Sequence, residues 1–176
     1  MTRSERLTKV ALFAALTAVG AQVSIPIGEV PITLQVLFVL LSGLLLDPKS
    51  ALLSQIFYLF LGALGFPVFA GFKGGFAHLY GPTAGYLWAF PLSAFLVSYL
   101  CFGKRGYLFK VLVALSGVGL IYLLGWFRLG IFLNGNFFKA FQIGVLPFVG
   151  IDIVKALVAV AVAEKVIVFV MARQKT

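Results

Sequence analysis

Leu108-Phe-Lys-Val-Leu-Val-Ala-Leu-Ser-Gly-Val-Gly-Leu-Ile-Tyr-Leu-Leu-Gly-Trp-Phe127 runs for 20 residues with one charge, Lys110, near its start. About 20 apolar residues in a helix is the length that crosses the hydrocarbon core of a bilayer. Similar stretches flank it on both sides. The chain is 62% hydrophobic and 11% charged, whereas soluble domains carry about 25% charged residues. A small globule has too much surface to cover for such a deficit to be hidden in one core, so lipid is the missing solvent.

Reading outward between polar breaks predicts six helices, at residues 7–23, 32–46, 50–64, 84–102, 108–127 and 148–171. Asp47-Pro48-Lys49 is the turn signal between the second and third. The expectation is an all-α integral membrane protein, a single transmembrane domain over residues 1–176. The basic start and apolar run at residues 11–23 lead straight into further spans, which favours a retained first helix over a signal peptide. Residues 129–149 are apolar but broken by Asn134-Gly-Asn136, Lys139, Gly144 and Pro147; they are expected to form an outer loop with an interfacial or re-entrant helix, not a seventh span.

The net charge of +9 does not point to nucleic acid, because no basic run exceeds Lys104-Arg105. Membrane topology accounts for it better. With the N-terminus inside, the inner segments hold ten basic residues: Arg3, Arg6, Lys9, Lys49, Lys104, Arg105, Lys110, Lys165, Arg173 and Lys175. Lys73, Arg128 and Lys139 fall outside and Lys155 within the sixth helix. That bias predicts both termini in the cytoplasm. One cysteine, Cys101, builds no disulfide framework, and one histidine, His78, supplies too few ligands for zinc, so no cofactor or metal is expected.

Ionisable side chains at membrane depth are costly and usually functional. Gly150-Ile-Asp-Ile-Val-Lys-Ala156 places Asp152 and Lys155 three residues apart, on one helix face. Ala156, Ala159 and Ala163 continue that face, while Val, Leu and Ile fill the others. A face both charged and small-sided belongs inside a bundle. A local ion pair that merely makes the helix insertable would share the spacing; a polar ligand site near the outer mouth is the stronger reading. Glu164 and Lys165 are expected to pair at the inner interface.

Residues 62–86 contain seven glycines among 25 residues, interleaved with aromatics. Irregular backbone at membrane depth survives only when buried in protein or lining a cavity, which suggests a folded loop over a pocket. Gly71-Phe-Lys-Gly-Gly75 lacks the spacing and trailing Ser or Thr of a P-loop, so no ATP site is expected. Gln35 and Thr33 stand where they can reach a ligand or a neighbouring helix, and Tyr86 and Trp88 line a pocket or mark the interface. In the first helix Ala11, Ala14, Ala15, Ala18 and Ala21 form a small-residue stripe for close packing, within the chain or against a partner.

Taken in order, Pro31-Ile-Thr-Leu-Gln35, Gly65-Phe-Pro-Val-Phe-Ala-Gly71, Gly74-Gly75, Gly81-Pro-Thr-Ala-Gly-Tyr86 and Leu146-Pro-Phe-Val-Gly-Ile-Asp-Ile-Val-Lys155 resemble the BioY family, the biotin-specific substrate-binding components of energy-coupling-factor (ECF) transporters. Ala84-Gly85 stands where that family often has two glycines. The resemblance implies six helices, biotin as ligand, and a site including Asp152 and Lys155. Gln35, Lys73, Thr83 and Tyr86 complete the expected substrate-binding set. It also implies that Ala11, Ala14, Ala15 and Ala18 meet a transmembrane coupling protein, with two ATPase subunits completing the complex. Biotin capture is thus expected, without enzymatic activity of the chain itself. The sequence leaves open which end of biotin meets Asp152 and Lys155. A small proton-coupled carrier of another carboxylated metabolite is the alternative, weakened by the lack of inverted repeats. A membrane-embedded enzyme would need an Asp-rich or His-Glu motif that the sequence does not contain.

Overall fold

The computed structural model describes residues 2–101, 103 and 106–173. Phe102, Lys104, Arg105 and Lys175, on which part of the helix and charge assignment rests, lie outside them. Among the described residues the chain is mostly helical. The helices are α1 Arg3–Gln22, α2 Gln35–Leu45, α3 Pro48–Ala63, α4 Ala84–Cys101, α5 Tyr107–Phe132, α6 Phe137–Gly144 and α7 Val149–Arg173. A two-stranded antiparallel hairpin, β1 Ser24–Ile25 and β2 Ile32–Thr33, joins α1 to α2.

The six predicted helices are present with shifted ends, and the shifts have local causes. Helix α1 begins at Arg3 because Thr2 and Glu5 form a capping box, with Thr2 Oγ1 accepting from Glu5 N and Glu5 Oε2 from Thr2 N. Helix α2 starts three residues later than expected because Ile32 and Thr33 are taken into the hairpin. Its 11 residues reach only about 16 Å at 1.5 Å per residue, and it is hidden at the centre against α1, α4 and α7. Helix α5 runs past Arg128, the expected break, because the guanidinium leaves the helix surface to donate to the Tyr80 carbonyl. The helix stops where Asn134 and Gly135 turn to positive φ. The segment 129–149 holds α6, only eight residues long, so it adds no seventh span.

Helices α4 and α5 are the two, among the described residues, that are long and apolar enough by themselves to cross a membrane, with mean hydropathies of 1.4 and 2.1. Helix α4 packs on α2, α3 and α5, α1 on α2 and α3, and α7 on α2 and α5. Between α1, α2 and α3 a buried amide serves as polar glue: the two N–H groups of Gln55 Nε2 are shared among Thr17 Oγ1 (3.2 Å), Ser42 Oγ (3.3 Å) and Ser54 Oγ (3.2 Å). Hydrogen bonds of this kind are what hold helices together where apolar contact alone gives no preference over lipid.

At the opposite end from the hairpin, Asp47 caps α3. Its Oδ1 accepts from Ser50 N (3.1 Å) and its Oδ2 from Ser50 Oγ (2.5 Å), while Arg6 Nε of α1 donates to Ser50 Oγ (3.1 Å). Burial alone would raise the Asp47 carboxyl; the Ser50 hydrogen bonds and the Arg6 charge outweigh it and hold the group below its ordinary value. A carboxylate lowered in the fold stabilises above its ordinary pKa and loses that contribution as pH falls through the lowered one. Asp47→Ala is therefore expected to cost about 1 kcal/mol, the usual loss for an N-cap. Thermal unfolding in detergent, measured from neutral to acid pH, should show the gap between wild type and variant closing in acid.

Candidate functional site

A cavity of about 350 Å³ opens at the hairpin end of the bundle, a size that accommodates a small organic ligand. Helix α7 provides its charged wall. Asp152 and Lys155 are 3% and 7% exposed, and Lys155 Nζ donates to Asp152 Oδ1 at 2.7 Å. The second carboxylate oxygen accepts from Tyr122 of α5 at 2.7 Å. Ala156, Ala159 and Ala163, on the same face, are completely buried, whereas Ile151, Ile153, Val154 and Leu157 point outward. The small-residue face of α7 thus packs inward with the charges, as its periodicity suggested.

Helix α2 contributes a neutral wall. Thr33 Oγ1 donates to Gln35 Oε1 (2.9 Å), and Gln35 Nε2 donates to Tyr58 Oη of α3 (2.6 Å). Tyr58 passes the link on by donating to the carbonyl of Val68 in the glycine-rich loop (3.1 Å). A polar group on the cavity wall is in this way continuous with the loop over its mouth.

The loop between α3 and α4 is folded. Phe69 and Lys73 exchange backbone hydrogen bonds (Phe69 N to Lys73 O, 2.9 Å; Lys73 N to Phe69 O, 3.3 Å), and residues 76–79 form a 3-10 turn. The Phe69 ring lies edge-on to Tyr58 and to His78, over Gly62, where a Cβ would collide with the ring. Phe72, at the tip, has φ 56° and is 71% exposed. For a bulky residue this left-handed backbone costs about 1–2 kcal/mol, and its amide is held by Gln22 Oε1 at 2.8 Å.

All six residues expected to bind substrate lie on this cavity: Asp152, Lys155, Gln35, Lys73, Thr83 and Tyr86. Their surroundings differ. Lys73 is exposed at the rim. Tyr86 is buried, with its hydroxyl donating to Gly144 O (2.7 Å) and its ring over Gly125, so its polar group also fastens the end of α6. Thr33 and His78 line the cavity as well. Trp88 faces outward from α4 and meets Tyr80 edge-on. Sequence reasoning did not find Tyr58 and Tyr122, whose partners lie 10 to 30 residues away in the chain.

Two expectations away from the cavity are corrected. Glu164 pairs not with Lys165 but with Lys110 of α5, at 2.5 Å, because adjacent residues on a helix point about 100° apart and only Glu164 faces α5. The alanine stripe of α1 is divided: Ala14 is 2% exposed and Ala21 fully buried, while Ala11 and Ala15 are exposed and Ala18 half-buried. Ala14 therefore packs within the chain and leaves the outward face to the other three.

Residues 1–171 match the profile of the BioY family. A protein of Pyrococcus horikoshii described as a probable biotin transporter BioY is 53% identical over 163 residues, 93% of this chain and 96% of that one. The biotin transporter BioY of Thermotoga maritima is 44% identical over 158 residues, 90% and 93% of the two chains. The fold is similar to the crystal structure of the S-component for biotin from an ECF-type ABC transporter, with a TM-score of 0.87, 28% identity and 94% of each chain covered.

The buried pair predicts a stability signature independent of any ligand. Lys155→Met leaves the Asp152 carboxylate uncompensated and is expected to cost about 3 kcal/mol, whereas adding Asp152→Leu should recover most of it. Chemical unfolding of both variants in the same detergent measures the difference.

Proposed function

The chain belongs to the BioY family, and from that premise we propose that it captures biotin as the substrate-binding component of an ECF-type transporter in the cell membrane. The observation that carries this reading is the buried Asp152–Lys155 pair, braced by Tyr122, on the wall of a ligand-sized cavity. Biotin is mostly apolar, with a ureido group at one end and a carboxylate at the other, and a cavity with a few placed polar groups suits it.

Charge balance orients the ligand. Asp152 and Lys155 neutralise each other, so adding a carboxylate there would leave a net negative charge in a poorly solvated place. The neutral ureido ring fits better: its N–H groups donate to Asp152 and its carbonyl accepts from Lys155, which spends one of its three donors on Asp152. Gln35, Thr83 and Tyr86 then border the ring, and the carboxylate extends toward Lys73 at the solvated rim.

Six of the helices, all but α6, form the membrane domain, with both termini in the cytoplasm and the glycine-rich loop outside. The exposed side of α1, with Ala11, Ala15 and Ala18 among Leu7, Leu12 and Val19, is the face for the transmembrane coupling protein, where small side chains allow close helix approach. Two ATPase subunits supply the energy, and the chain itself is not an enzyme.

Equilibrium binding of radiolabelled biotin to the purified chain tests the assignment. Lys155→Ala and Asp152→Ala should each weaken binding by about 10- to 100-fold, the range for hydrogen bonds to charged groups. Biotin methyl ester should stay within about tenfold of biotin if its carboxylate lies at the solvated rim. A folded wild type that binds no biotin would refute the ligand; a much weaker ester would reverse the orientation.

A further inference from the structure

One side chain of α1 holds three backbone groups of the loop over the cavity. Gln22 closes α1; the two N–H groups of its Nε2 are shared among the carbonyls of Ala18 in its own helix (3.1 Å), Phe69 (3.2 Å) and Pro67 (3.4 Å), and its Oε1 accepts from Phe72 N–H (2.8 Å). The carbonyl in between, Val68 O, is held by Tyr58 of α3. Phe69, Ala70 and Lys73 of this segment line the cavity.

A second part of the cavity lining is tied to the same helix through the chain. Residues 24–33 leave α1 directly as the hairpin, and Gly28, Glu29, Val30 and Pro31 at its turn also line the cavity. The end of α1 therefore carries one part of the lining covalently and the other through Gln22.

We infer that Gln22 is a positioning residue that ties the loop to α1, so that a ligand's residence time depends on where the end of α1 stands. This rests on the proposed capture of biotin, in which α1 is also the helix that meets the coupling protein. A shift of that helix would reach both parts at once. The segment 66–73 is poorly able to hold this shape alone, since its tip combines a strained Phe72 with Gly71 at φ 72°. Fixed external partners for its peptide groups are what keep such a segment closed.

The test compares wild type and Gln22→Ala, full length in nanodiscs, by amide hydrogen exchange without ligand and by release of radiolabelled biotin. Loss of these hydrogen bonds should speed exchange across residues 66–73 by roughly tenfold or more, leaving α2 and α4 within about twofold. Biotin should dissociate faster by a similar factor. Gln22→Glu keeps an acceptor for Phe72 but no donor for Pro67 and Phe69, so it should fall between the two; it also decides the matter if the alanine variant does not fold. Unchanged exchange at 66–73 would overturn the latch, and a loosened loop with unchanged biotin release would overturn its control of residence. A wild type that binds no biotin refutes the proposed function separately, because the exchange comparison still reads the latch.

Discussion

An ammonium and a carboxylate 2.7 Å apart inside a helical bundle constrain everything around them. Neither charge is tolerable there alone, and even the pair needs its remaining hydrogen-bonding capacity met. Tyr122 meets part of it from α5, and the cavity supplies room for a ligand to meet more. The alanines below the pair let α7 press against α2, which brings Gln35 and Thr33 to the same cavity as the charges. The site is in this sense a by-product of solving the solvation of two residues on one helix.

The mouth faces a different constraint. Its backbone leaves regular structure, and each peptide group without a ladder or a turn must find a side chain. Gln22, Tyr58, Tyr86, Trp126 and Arg128 do this for Pro67, Val68, Phe69, Phe72, Gly144, Phe137 and Tyr80. Irregular backbone near a membrane is stable here because long polar side chains at helix ends turn back over it. The aromatic and amide residues around the mouth are thus scaffold, and Tyr86 lines the cavity as well.

How far this was legible in the sequence follows the range of each interaction. Helix positions, the inward face of α7 and the Asp152–Lys155 pair are repeats of three and four residues, and periodicity exposes them. The glycine-rich loop showed itself by composition. Tyr122, Tyr58 and Gln22 did not: each matters through a partner 10 to 50 residues away, and nothing in the local pattern marks it. The same blindness misassigned Glu164, whose neighbour Lys165 was near in sequence while its partner Lys110 was near in space. The alanine stripe was legible as a stripe, but which of its residues face inward depends on where α3 lies, so Ala14 was placed on the wrong side.

The two side-chain bridges between α5 and α7 have a mechanical consequence. Lys110 meets Glu164 and Tyr122 meets Asp152, so equal intervals of 12 residues separate the contacts on two antiparallel helices. They act as level rungs about 18 Å apart, by the helical rise. Sliding one helix past the other by a single turn would break both rungs together, parting Lys110 from Glu164 and leaving one oxygen of Asp152 without its Tyr122 donor. The pair therefore behaves as a stiff truss under shear, and any tilting of this protein in its membrane must carry α5 and α7 round as one beam.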